Sequence, residues 1–403
     1  MKVSTPLIVL LALSSSLLFA KEDIEYLDIY ISDLKKEQFS YDYQKVEAES
    51  SILRDSWISP LRLNYNYSQS NPYDNEQSKE GASIKMDQAI FQSGGIYYGI
   101  KFAQASEVYS NLSVDAAKRQ LVKDAISILM QIKQSTLRVQ RQELQIKNSE
   151  INLEQKREQY MSGQLDSGFL DNAVIERNIV IQALYDIQTA KERLISKFHA
   201  LSDMDYNKAV IPYLEVLEKE QFLKYNIILN MSESEIEKNR YSKNMTVSKY
   251  LPKVSLTAGY NWQSSSVMGT NFVTPETEYY DYGLKAYIPL DINTFRDIES
   301  SRVDYLKAQV SKRDKKVRLT AMYEQVMQNI ENFEKKRLLS LENKDIYSKL
   351  LEDTKSLYSV GHKTLYDVDL LKNSVNIQEI DYKIFEIDKQ LELLSLYEMY
   401  KKD

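Results

Sequence analysis

Between Ala125 and Tyr160 apolar residues recur every seven positions along two separate tracks. One is Ala125, Ile132, Val139, Ile146, Leu153 and Tyr160; the other is Met130, Leu137, Leu144 and Ile151. Neighbouring members of the two tracks stand two residues apart, which on a helix places the tracks about 160° from each other. A surface helix needs one apolar stripe and a two-stranded coiled coil needs one seam. Two stripes on nearly opposite flanks demand a neighbour on each side and water on both remaining faces, which Lys, Arg, Gln and Glu fill. That is the layout of a stave in the wall of a tube. The C-terminal stretch repeats it, with Leu370, Ile377, Ile384 and Leu391 on one track and Val368, Val375, Tyr382 and Leu396 on the other, interrupted only by Lys389.

Composition narrows what surrounds these helices. Gly and Pro number 10 and 7 in 403 residues, which favours long helices over a loop-rich fold. A formal net charge of −6 gives nucleic acid no basic surface to bind. Cysteine is absent and the two histidines, His199 and His362, are too few for a metal cluster, so neither a metal nor a cofactor is expected. No carboxylate pair, activated nucleophile or phosphate-binding Gly loop marks an enzyme. Tyrosine is abundant, 30 against 11 Phe, and suits surfaces where apolar and wet regions meet.

At the N-terminus Lys2 precedes an apolar run, Pro6–Leu13 and Leu17–Phe19, and Ala20 gives way to Lys21-Glu22-Asp23. Residues 1–20 read as a secretory signal cleaved after Ala20. Without cysteine the new end has no site for a lipid, and no later stretch is apolar for long enough to form a transmembrane helix.

The rest is a tandem repeat. In the first copy, 21–202, a charged helix over 22–56 leads to strands at 57–68 and 82–92, separated by a polar loop from Gln69 to Glu80. Helices at 96–160 and 169–202 follow, turning at Tyr160-Met-Ser-Gly163. An inter-repeat segment, 203–249, carries further helix, notably Glu233–Lys243. As the chain ends soon after its last helix, this segment is expected to supply most of any belt around the helices. The second copy, 250–403, has strands at 251–263 and 279–290, a loop from Ser264 to Glu278, and helices at 295–358 and 364–400, turning at Tyr358-Ser-Val-Gly361. Each strand alternates over a length close to what a tilted strand needs to cross a bilayer, about 9–11 residues. Tyr65, Tyr67, Tyr260, Trp262, Tyr280 and Tyr282 would then form an aromatic girdle. Four strands leave open edges that lipid cannot satisfy, so several chains must share one barrel. A soluble β-layer capping a helical rod is the plainer alternative.

The duplicated order, Gln88-Ala-Ile-Phe91 with Gly94-Gly95, Leu251-Pro252, and Tyr358-Ser-Val-Gly361 followed by Asp367-Val368 together resemble the TolC-like outer-membrane efflux protein family. The resemblance spans nearly all of the mature length. It implies a mainly α fold with a small membrane β-barrel: a homotrimer whose 12-stranded barrel crosses the outer membrane of a Gram-negative bacterium and continues as a periplasmic α-helical barrel. It further implies passive conduction of substrates delivered by an inner-membrane transporter and a periplasmic membrane-fusion adaptor. In that family the helix turns form a gated periplasmic mouth. Tyr358 and Lys363 fall at the gating tyrosine and a basic position, and Asp367 and Asp369 lie at or beside acidic ones. Leu370 replaces one family acidic residue and Phe169 another, with Asp166 and Asp171 nearby. A periplasmic adaptor would show one helical hairpin between Gly-rich β halves, and a coiled-coil scaffold would leave the four strands unexplained.

Overall fold

The computed structural model describes residues 27–71, 76–267 and 273–402. The signal segment lies outside these residues, as does part of each polar loop between paired strands. In chain order the elements are α1 (Asp33–Asp55), β1 (Arg62–Ser70), β2 (Gln77–Phe91), α2 (Gly95–Met161), α3 (Ser167–His199), α4 (Lys219–Lys224), α5 (Ile227–Lys249), β3 (Lys253–Val267), β4 (Val273–Tyr287), α6 (Thr294–Ser359) and α7 (Leu365–Tyr397). None of the described helices is long and apolar enough to cross a membrane.

Several boundaries differ from the sequence reading. Strand β2 starts at Gln77 rather than 82, β3 runs on to Val267, and β4 starts at Val273 rather than 279. The backbone ladder continues past the apolar band, pairing Ser78 with Ser266 and Lys79 with Ser265. The Ser78 and Ser266 hydroxyls bond to each other at 2.7 Å. At its other end β4 stops at Tyr287, not 290, because Pro289 has no N–H to give to a ladder. Helix α5 fills 227–249 and so exceeds the expected Glu233–Lys243, and α1 begins at Asp33 after a short 3₁₀ turn at Leu27–Tyr30.

The chain forms two compact units, and each draws on both repeats. The unit made of Tyr41–Val114 and Ile228–Lys315 contains the sheet. Its strands lie in the order β1-β2-β3-β4, all antiparallel, with β1 and β4 at open edges. Register puts Leu63 opposite Ile84, Ile84 opposite Tyr260 and Tyr260 opposite Tyr280. One face therefore collects the apolar set, and it is uncovered: Tyr65, Tyr280 and Tyr282 are 66%, 76% and 80% exposed. The opposite face carries Asn64, Ser83, Asn261 and the other polar partners of the alternation.

The other unit, Met1–Ser40 with Asp115–Ile227 and Lys316–Asp403, is a layer of four long helix segments. Helix α2 touches α3 through Gln142, whose amide donates to the Val180 carbonyl at 2.9 Å. It touches α7 through Arg141 and Asp381 at 2.9 Å, Gln134 and Asp388 at 2.6 Å, and Asn148 and Asn373 at 2.8 Å. Helix α7 in turn meets α6, where Arg337 donates to the Tyr382 hydroxyl at 2.7 Å and Lys344 reaches Glu379 at 3.3 Å. The order across the layer is α3-α2-α7-α6. The two helices with doubled tracks are the two with a neighbour on each side. Val139 and Ile146 flank Gln142 on the α3 side, and Leu137 and Leu144 flank Arg141 on the α7 side.

One expectation needs correction. Gln134, Arg141 and Asn148 are not left to water between the tracks; spaced by seven along α2, they bond to Asp388, Asp381 and Asn373 as a polar ladder in the α2–α7 seam. Paired side chains at fixed heights penalise a sliding of α2 against α7, whereas an all-apolar seam tolerates it.

An extended strap, residues 203–218, crosses the layer. Lys133 of α2 donates to the Asn207 carbonyl at 2.9 Å, the Leu214 N–H donates to Gln390 of α7 at 2.8 Å, and Tyr323 of α6 donates to the Leu217 carbonyl at 2.7 Å. Beneath it lies the core: Ile126, Leu129, Met130 and Ile132 of α2, Leu393, Leu394 and Leu396 of α7, and Phe198 and Phe222. Phe222 stacks on Tyr323 with ring centroids 5.7 Å apart. The C-terminus is pinned there too, since Ile227 N–H bonds to the Met399 carbonyl at 2.9 Å and Lys401 N–H to the Tyr225 carbonyl at 2.8 Å.

Candidate functional site at the two helix turns

The two long hairpins end in the same backbone device. Gly163 and Gly361 have φ of 77° and 82°, the left-handed conformation that side chains oppose. At the first turn Gly163 N–H bonds to the Tyr160 carbonyl at 3.0 Å and Gln164 N–H to the Gln159 carbonyl at 2.8 Å. At the second, Gly361 N–H bonds to the Tyr358 carbonyl at 3.0 Å and His362 N–H to the Leu357 carbonyl at 2.9 Å. Both are Schellman caps, and they satisfy carbonyls that a helix end leaves unpaired.

The returning helices start differently. Asp166 caps α3, accepting from the Gly168 N–H at 2.7 Å. Helix α7 opens with a capping box: the Thr364 hydroxyl accepts from the Asp367 N–H at 3.2 Å, and the Asp367 carboxylate accepts from the Thr364 N–H at 3.0 Å and its hydroxyl at 2.9 Å. The Thr364 N–H, then the hydroxyl and the nearby Lys363 ammonium, hold the Asp367 carboxyl below the usual carboxylate range. Lys363 lies 3.9 Å from Asp367, a loose surface pair.

Of the residues singled out in the sequence, Lys363 and Asp367 therefore come together, and Asp166 is engaged in capping its own helix. Among the described residues, the side chains of Tyr358, Asp171 and Asp369 make no hydrogen bond or ion pair, and Tyr358 and Phe169 are exposed. The sequence reading missed one link: Tyr366 of α7 donates to Glu158 of α2 at 3.0 Å, tying the second hairpin to the first beside the turns. That bond raises the Tyr366 pKa. It has no local signature, since its partners are far apart in sequence. The capping box does have one, in Thr364-x-x-Asp367. Among the described residues no group of His, Cys, Asp and Glu could hold a metal ion.

The turns are flanked by unused apolar surface. On α6 the residues Leu339, Ile346, Leu350 and Leu357, and on α3 Ile175 and Ile179, stand exposed on the sides away from the helix neighbours described above. The two outer helices of the layer thus each present a seam with no partner among the described residues.

Residues 220–398 match the family described as outer membrane efflux protein. No curated protein matches the chain in sequence. Solved structures match its fold over almost the whole length. The outer membrane protein VceC of Vibrio cholerae is 13% identical with a TM-score of 0.71, covering 94% of this chain and 96% of its own. The Campylobacter jejuni CmeC outer membrane channel is 12% identical with a TM-score of 0.70, covering 94% of this chain and 86% of its own. The Neisseria gonorrhoeae MtrE outer membrane channel, captured in an open state, is 12% identical with a TM-score of 0.65, covering 93% and 88%. The chain thus has the mainly helical, small-sheet fold of outer-membrane channels, and the resemblance to TolC-like outer-membrane efflux proteins is shown by residues 220–398.

Proposed function

We propose that three copies of this chain form a passive duct through the outer membrane of a Gram-negative bacterium, extending into the periplasm and conducting solutes outward. The observation that carries this is the pair of unpartnered seams on α3 and α6 at the two ends of a curved layer. On both α2 and α7 the directions to the two neighbours, counted at 100° per residue, differ by roughly 140–150°. A layer with that bend closes on itself after about nine to twelve helices, and three chains with four segments each supply about 12. In such a ring α3 of one copy covers α6 of the next.

The sheet supports the same count. Its exposed apolar face and its open β1 and β4 edges suit lipid only if edges pair between copies, giving about 12 strands. The six candidate aromatics share that face and slant across the strands, as a level girdle must when strands tilt.

In this reading an inner-membrane transporter supplies the energy, a periplasmic adaptor links it to the duct, and the two helix turns form the gated mouth. Tyr358, Asp171 and Asp369 stand ready to bond across copies, Lys363 and Asp367 brace the second turn, and Asp166 braces the first. No step is catalytic. Fractionation tests the reading: the protein should enter outer-membrane fractions as a detergent-dependent trimer that heating dissociates. A buffer-soluble monomer would refute it.

A further inference from the structure

The strap distinguishes the two faces of the helix layer. It is anchored on α7 through Gln390, and Gln390 points into the wide arc between the directions to α2 and α6, the convex side. Asp388, two residues away, lies about 160° round the helix from it. The same relation holds on the neighbours: Arg138 is five residues beyond the strap anchor Lys133, and Lys336 is thirteen beyond Tyr323, each about 140° round. The concave face at the strap's level therefore carries Arg138, Asp388 and Lys336. Cross-helix contacts place them at one height, since Gln134 reaches Asp388 at 2.6 Å and the Lys336 ammonium, already over Phe333 of its own helix at 5.2 Å, lies 5.9 Å from the Phe385 ring of α7.

These charges are unusually placed. Among the described residues Arg138 and Lys336 belong to no ion pair, although Arg337 and Lys389 next to them pair with Glu386 and Glu334 at 3.5 and 3.4 Å. Asp388 lies between the two cations and is half withdrawn from water, with Gln134 as its bonded partner. Burial raises its pKa. Glu392 follows one turn further along the same face of α7.

We propose that this concave face lines the bore and that Arg138 and Lys336, with the Phe385 ring beside Lys336, form a belt that contacts solutes combining an anionic group with an aromatic or apolar body. The inference rests on the duct reading above. A guanidinium and an ammonium outside any ion pair supply charge-assisted donors for a carboxylate or sulfonate, and the phenyl ring supplies a stacking surface. Repeated three times around a ring, the belt presents these donors to solutes where the channel is water-filled.

The test uses the full-length protein in planar bilayers, with potassium chloride gradients and naphthalene-2-sulfonate as the probe. Arg138→Gln with Lys336→Gln should raise the potassium-to-chloride permeability ratio by about twofold or more. The same change should raise the half-blocking concentration of the sulfonate about tenfold, the worth of one lost charge-assisted hydrogen bond. Phe385→Ala should weaken the block but leave ion selectivity in place, and Glu392→Gln should shift selectivity in the opposite direction from the cation variant. Channels that form normally with unchanged selectivity and block in all variants would overturn the belt and leave the duct intact. Wild-type protein that forms no channels would sink the duct itself.

Discussion

Asp367 is the residue at which a cap and a gate make different demands, so its removal is informative. In Asp367→Ala the Thr364 N–H and hydroxyl lose their acceptor, worth about 0.5–1.5 kcal/mol in an exposed turn. Loss of a negative charge in the first turn of α7 removes about 0.3–1 kcal/mol more. The 3.9 Å contact with Lys363 adds no more than a few tenths of a kcal/mol. The sum is about 1–3 kcal/mol, which should speed amide exchange across 358–370 by about 5–150-fold. The assay is hydrogen exchange read by mass spectrometry on the intact protein. The turn at 158–170, with its own Asp166 cap, serves as the internal control. The pH dependence has a defined sign. The folded-state pKa of Asp367 is depressed, so its contribution is complete above its unfolded value, about 4, and is lost as pH falls through the lower folded value. Unchanged exchange in 358–370, together with raised single-channel conductance, would refute the cap and make Asp367 a contact between copies.

Three further outcomes follow from the same contacts. Gly361→Ala has open space around the new methyl group, so its cost is backbone strain alone, about 1–2 kcal/mol, and Gly163→Ala should cost the same; local exchange at each turn measures it. Tyr358→Phe combined with Lys363→Ala should raise single-channel conductance, and an unchanged value removes both from the gate. Asp388→Asn should raise thermal stability at neutral pH and lose that advantage in acid. A buried carboxyl with a raised pKa destabilises the fold once pH exceeds its ordinary value, and protonation of the wild type below that value removes the difference.

Much of this fold was legible because long apolar repeats have few solutions. The doubled tracks on α2 and α7 pointed to helices with two neighbours, and Gly163 and Gly361 marked both turns. The outer ends of the strands were not legible. Gln77–Glu80 and Ser264–Val267 lie beyond the apolar band, where Ser, Lys and Glu give no contrast between faces and only backbone pairing keeps them extended. The strap was hidden for a related reason: Asn207, Leu214 and Leu217 are fastened by main-chain groups to side chains far away in sequence. The polar ladder in the α2–α7 seam was misread as a wet face, since Gln134, Arg141 and Asn148 look identical in sequence whether they meet water or Asp388, Asp381 and Asn373. At the turns the cap residues had local patterns, whereas the Tyr366–Glu158 bond required the fold.

The central claim is that the bare seams of α3 and α6 meet across copies, and because the chain has no cysteine it can be tested directly. Cross-helix contacts place Ile179 and Ile346, 60% and 46% exposed, at similar heights along the layer. Ile179→Cys with Ile346→Cys, oxidised in outer membranes and run under denaturing conditions, should give a ladder that stops at three covalently joined copies. Bonds formed only within one chain, or a ladder running past three, would contradict the account.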